Sequence, residues 1–302
     1  MILNARLLLL LSFSLLSFTE LASSSVLQSN KLSFSVLITA ESSGSLEAIV
    51  VEDGSWSTKR KLVHTAVLVK HPKGEFLFDS GIGRDFEEQM SVFSFFEKQL
   101  FKIENVLPAR DQFNEQGYDV NRLMAIIPSH MHWDHASALE DFSGVPVWLQ
   151  KSSLEEAQQG QPPAFVSSQY DDPSLIWNFF ALTDAPYEGF AQSLDVFNDG
   201  SVVLVDLSGH TKGQVGLFIN LDSGKRYFFI GDTSWAQLGI KHNKPRPKFV
   251  HWLVGVDSNY EKNNQVVQSI HNFSLEHPDV VIVPAHDEIV AKTLPRYPDF
   301  SN

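Results

Sequence analysis

His130-Met131-His132-Trp133-Asp134-His135 packs three imidazoles and a carboxylate into six residues. The apolar run Leu123-Met124-Ala125-Ile126-Ile127-Pro128 precedes it and reads as a buried strand, so the cluster occupies the loop at that strand's end. Along an extended loop, residues two apart reach one cation from the same side. Asp134 and His135 then point elsewhere and can serve a second cation. Imidazole nitrogen with carboxylate oxygen and no thiolate suits zinc and tolerates iron or manganese.

Three more sites share this context. Gly209-His210-Thr211 follows a strand ending at Asp206, Gly231-Asp232-Thr233 follows the strand ending at Ile230, and Ala285-His286-Asp287 follows Val280 to Pro284. In each, an apolar strand stops and Gly or Pro frees the backbone, as a site built across one edge of a sheet sandwich requires. The chain has no cysteine, so every metal ligand must be His, Asp, Glu or water.

Strand patterns cover Leu32 to Ala40, Glu47 to Val51, Leu62 to Lys70, Glu75 to Asp79, Val145 to Leu149, Ser201 to Asp206, Gln214 to Asn220 and Lys225 to Ile230. Helical spacing covers Asp85 to Lys102, Ser153 to Gln159 and Asn263 to Glu276. The chain thus runs as two β-then-α halves, which fit two stacked sheets flanked by helices. Gly160 to Gln192 is irregular and rich in aromatic residues, including Tyr170, Trp177, Phe180 and Tyr187. A segment of that kind is often functional, and this one is expected to line a cleft together with the Phe-rich helix over 85–102.

The 302 residues are 43% hydrophobic, enough for a sizeable core. A net charge of −13 argues against nucleic acid as a partner and leaves a small molecule as the expected substrate. Arg6, the apolar stretch Leu7 to Phe18 and the small residues Ala22-Ser23-Ser24 form a secretory signal pattern over residues 1–24, too short in its apolar part to span a membrane comfortably. The mature unit, residues 25–302, is then exported, periplasmic or secreted, with no stable membrane span. Lys241 to Lys248 carries four basic residues, readable as a solvated loop or as an anion-steering rim. His64, His71, His242, His251, His271 and His277 lack partner motifs and are assigned to structure or surface.

These motifs together resemble the metallo-β-lactamase superfamily, and Phe76-Leu77-Phe78-Asp79-Ser80-Gly81 is similar to that family's strand ending in Asp-x-Gly. The resemblance spans nearly the whole mature chain and implies an α+β, four-layer αββα sandwich. It implies that His130, His132 and His210 hold one divalent metal, that Asp134, His135 and His286 hold a second, and that Asp232 bridges both. Asp79 then orients ligands, or else simply forms the turn before Gly81. Two such metals about 3.5–4 Å apart bind and activate a hydroxide for attack on a carbonyl. Asp134 and Asp232 are the candidate catalytic carboxylates, and the reaction implied is hydrolysis of a lactone, ester or thioester. A β-lactam hydrolase, a phosphodiesterase and an iron-dependent redox enzyme are the alternatives within the same fold.

The carboxylate bridge and the Gly209 to Gln214 turn are most similar to the acyl-homoserine lactonase branch. That branch commonly has Tyr three residues after the bridging Asp, where this chain has Trp235. Tyr170 or Tyr187 would have to supply the missing hydroxyl.

Overall fold

In the computed structural model, which describes residues 31–301, the strand Gly74–Phe78 places Phe76 and Phe78 on one face and Leu77 on the other, all buried. A strand apolar on both faces must be covered twice. Phe76 and Phe78 meet Leu204, Leu217 and Phe229 of a second sheet, whereas Leu77 and Ile126 lie beneath Phe113, Phe142 and Leu154 on the helical side. The second sheet repeats this arrangement. Val203, Phe218 and Phe228 on its outer face pack on Val267, Ile270 and Phe273 of the helix Tyr260–Glu276. Helices, sheet, sheet and helices thus form the expected αββα sandwich.

Each sheet comes from one half of the chain. The seven-stranded sheet runs, edge to edge, Ile103–Glu104, Ser33–Ser42, Val63–His71, Gly74–Phe78, Leu123–Ile127, Pro146–Gln150, Ile176–Phe180. The five-stranded sheet runs Ser193–Asp195, Val202–Asp206, Val215–Asn220, Arg226–Phe229, Val280–Val283. Direction decides which strand ends coincide. Leu123–Ile127 runs parallel to Gly74–Phe78, so Asp79 and the His130 loop emerge together. Val280–Val283 runs parallel to Arg226–Phe229, which brings out Asp232 and His286 together. Val63–His71 is antiparallel to Gly74–Phe78, so its starting end, with His64, reaches the same edge.

Three sequence expectations are corrected. Glu47 to Val51 is not a strand but the short helix Glu47–Val50. The chain folds back there through Gly54, whose position leaves no room for a Cβ, 2.5 Å from the Glu47 carbonyl oxygen. The single helix expected over 85–102 is two, Phe86–Gln89 and Phe95–Leu100, because Ser94 is extended and caps the second in a reciprocal box with Glu97. Within the irregular segment, Ile176–Phe180 is a strand that extends the larger sheet in parallel. The leader expected over residues 1–24 lies outside the described residues. No described helix is long and apolar enough to cross a membrane.

Because Phe76 is fully buried between the sheets, Phe76→Ala should cost about 3–5 kcal/mol of stability. Urea unfolding checks this, and a loss under about 1 kcal/mol would show that the inter-sheet layer is not the packed core described.

Candidate metal centre

Pro128 ends the strand Leu123–Ile127, and the chain turns through Ser129 to Met131 into the one-turn helix Trp133–Ala136. His132 is extended at the N-cap, whereas Asp134 and His135 lie in the helical turn, so neighbouring residues diverge. The rings of His130, His132 and His210 stand 4.5–4.8 Å apart, centroid to centroid, with their ligand atoms within 4.8 Å of one another. Beside them, Asp134 Oδ2 lies 3.3 Å from His286 Nε2, and His135 Nε2 lies 4.0 Å from Asp134 Oδ1. Asp232 sits between these groups. Its Oδ1 is 3.0 Å from His286 Nε2 and 3.2 Å from His135 Nε2, and its Oδ2 is 3.7 Å from His210 Nε2. All seven predicted ligands are buried and converge.

The outward-facing nitrogens are held. His210 Nδ1 donates to Asp257 Oδ1 at 2.8 Å, and His286 Nδ1 donates to the Val63 carbonyl at 2.7 Å. His130 Nδ1 lies 3.0 Å from Ser129 Oγ, and His135 Nδ1 lies 3.0 Å from Asp79 Oδ2. Asp79, in left-handed backbone at φ 57°, also accepts the Ser129 N–H at 2.6 Å. It is therefore both the turn residue and the group that orients the ligand loop. On the inner side, His130 Nε2, His135 Nε2, His210 Nε2 and Asp232 Oδ1 are buried without any hydrogen bond. Buried polar atoms left this way are costly. Imidazoles anchored outside and bare inside, facing a shared carboxylate, fit divalent cations.

Charge distribution divides the ligands. Burial, and then the neighbouring imidazoles, push His130 and His132 well below the ordinary range and favour the neutral, ligating form. For Asp232 burial acts upward, but His286 and His135 outweigh it and hold the carboxyl ionised. For His135 burial acts downward and is overcome by Asp79 and Asp232, which raise it.

The site opens into a cavity of about 140 Å³ whose walls include Leu62, Phe101, Val250, Leu253 and Val256. The irregular segment contributes Pro163 and Ala164 to it, while Trp177 packs on the helical side of the larger sheet and Phe180 against the inter-sheet core. The expectation that this segment lines the cleft holds only for its first few residues. The Phe-rich region supplies Leu100 and Phe101 as expected, with Phe93 turned into the core. Another wall is the helix Lys248–Val254, which begins at the last residue of the basic stretch.

The basic stretch divides. Lys241 and Lys248 are exposed and Lys244 pairs with Asp53, whereas Arg246 is 1% exposed and pairs with Asp257. Arg246 also donates to the Asp232 carbonyl and lies 5.0 Å from the Trp235 ring. It is thus a brace beneath the ligands and no part of a rim. Tyr170 is buried and donates to the Ala157 carbonyl, and Tyr187 accepts from Asn220, so neither supplies a hydroxyl to the site. Trp235 does border it, its indole N–H donating to Asp232 Oδ2 at 2.7 Å.

His64, assigned to structure or surface from sequence, is in the site. Its Nδ1 lies 3.1 Å from Asp134 Oδ2, and with Asp134 and His286 it forms a ligand-type group, while His135 groups with His130 and Asp232. Burial lowers its pKa, against the pull of Asp134. The legible signal was its place at the start of a strand whose hairpin partner ends at Asp79.

Residues 60–286 match the sequence model of the metallo-beta-lactamase superfamily. The chain is 25% identical over 193 residues to the N-acyl homoserine lactonase AttM of Rhizobium radiobacter, covering 63% of this chain and 68% of AttM. A Bacillus thuringiensis AiiA variant solved with N-decanoyl-L-homoserine at its active site superposes with a TM-score of 0.68 at 18% identity, over 90% of this chain and 99% of that one. A dizinc quorum-quenching lactonase, AidC, superposes with a TM-score of 0.59 at 12% identity, over 89% of each chain.

Among the described residues, Asp257 touches the site through His210 and Arg246 alone. Asp257→Asn should therefore weaken zinc binding at one site about 10–100-fold and leave the other unchanged, measured by competition with a chromophoric chelator. Unchanged affinity at both sites would remove Asp257 from the ligand scaffold.

Proposed function

This chain belongs to the metallo-beta-lactamase superfamily and is a metal-dependent hydrolase, and from that premise we propose that it opens a lactone ring bearing an apolar acyl substituent, using two divalent ions, zinc by donor chemistry. The observation that carries the reading is Asp232. A single buried carboxylate faces His210 from one ligand group and His135 and His286 from the other.

His130, His132 and His210 would hold one ion, Asp134, His135 and His286 the other, and Asp232 both. Ions held there supply an activated water and polarise a carbonyl. The chain's own residues do the rest. Leu62, Phe101, Val250 and Leu253 exclude water and take up the acyl group. Asp134, which borders the cavity, accepts the proton that the attacking water gives up. It returns that proton to the ring oxygen as the carbon–oxygen bond breaks, so that lactone and water become a hydroxy acid. Trp235 fixes the bridging carboxylate by its indole N–H, and no hydroxyl stands in its place. The AttM and AiiA relatives, described as N-acyl homoserine lactonases, support the substrate class.

Export belongs to the same proposal, since the signal pattern over residues 1–24 sends the mature chain to the periplasm or medium. N-terminal sequencing of the native protein should begin near Ser25. A soluble cytoplasmic form that retains Met1 would contradict it.

Zinc-loaded protein should hydrolyse N-acyl homoserine lactones in preference to thioesters, β-lactams and phosphodiesters. Asp232→Ala should reduce turnover at least about 100-fold and empty both sites together. Asp134→Ala should mainly empty the second site, leaving one ion on His130, His132 and His210. Two tightly held ions and near-normal turnover in Asp232→Ala would overturn the bridging role and with it the lactonase reading.

A further inference from the structure

Five side chains with polar atoms outside the seven-residue ligand set line the cavity: Ser42, Ser45, His64, Trp133 and Trp235. Trp235 spends its only donor on Asp232. His64 is differently placed. Its Nδ1 donates to the Asp134 carboxylate, and among the described residues its Nε2 takes no hydrogen bond. A proton fixed on Nδ1 by a carboxylate leaves the Nε2 lone pair as an acceptor. Ser42 lies on the neighbouring strand. Ala40 is the register partner of His64, and Ser42, two residues further on, faces the same way. Its hydroxyl is buried and has no partner. In a cavity whose other walls are largely apolar, one acceptor and one hydroxyl on the same strand pair are a recognition element that no part of the hydrolysis requires.

We propose that His64 is a specificity-determining residue that accepts the N–H of an N-acyl amide on the substrate, with the Ser42 hydroxyl donating to the carbonyl of that amide. The inference rests on the lactone reading and narrows it. The preferred substrate is a lactone joined to its acyl chain through a secondary amide, and alkyl lactones of equal length lack both contacts. The Asp134 contact also ties amide recognition to the site, because the ring that meets the amide is held by a residue of the ligand set.

The test compares N-hexanoyl homoserine lactone with an alkyl γ-lactone of matched length on the zinc-loaded full chain. Wild type should favour the amide-bearing lactone. His64→Phe loosens Asp134 for every substrate, so the readout is the ratio: KM for the amide-bearing lactone should rise about 10-fold more than KM for the alkyl lactone. His64→Gln, which retains a donor and an acceptor, should recover part of the preference, and Ser42→Ala should lose part of it. Equal losses on both lactones would mean that His64 acts only by holding Asp134 and would overturn the inference alone. Hydrolysis of neither lactone by wild type would overturn the lactone reading and this inference together.

Discussion

Asp232 is a fully buried carboxylate that three imidazoles approach from three different strand ends. Gathering so many donors out of water is unfavourable unless something gathers charge with them. In this molecule the outward nitrogens are anchored to Asp257, Asp79, Ser129 and the Val63 carbonyl, so the rings cannot turn away; the inner nitrogens of His130, His135 and His210 stay bare, and that of His286 meets Asp232. The rest of the architecture answers to that constraint. Two parallel strand pairs, one in each sheet, deliver their carboxyl ends to one edge of the sandwich. Glycine accompanies the ligands where the backbone is crowded, as at Gly209, where a Cβ would lie 2.7 Å from the Asn263 backbone nitrogen. Gly231 takes a left-handed φ of 51° next to Asp232.

Much of this was legible in the sequence because the ligands are local and the strands are continuous. His130 to His135 supplies four of the seven donors from one loop, and the remaining three each follow an apolar run. What was not legible depends on contacts between distant segments. Arg246 looked like one more charge in a basic loop, yet it is buried because Asp257, eleven positions on, and the Trp235 ring enclose it. His64 carried no motif because its partner, Asp134, is seventy residues away. The cavity wall Lys248–Val254 followed a run of charges and prolines that hid its apolar spacing. The aromatic stretch containing Trp177 and Phe180 looked like a cleft wall, but a strand period of two sends those rings into the layers on either side of the larger sheet.

Trp235 and His64 both touch the carboxylates of the ligand set and border the cavity. The indole N–H serves Asp232, and the imidazole connects Asp134 to the cavity. Apolar walls at Phe101, Val250 and Leu253 enclose the cavity beside them.

The central claim is that Asp232 joins two metal sites into one centre. Anomalous diffraction from zinc-loaded crystals tests it most directly. The account predicts two peaks about 3.5–4 Å apart, one among His130, His132 and His210 and one among Asp134, His135 and His286, with one Asp232 oxygen on each or one shared. A single peak, or two peaks with Asp232 turned away from either, would contradict it.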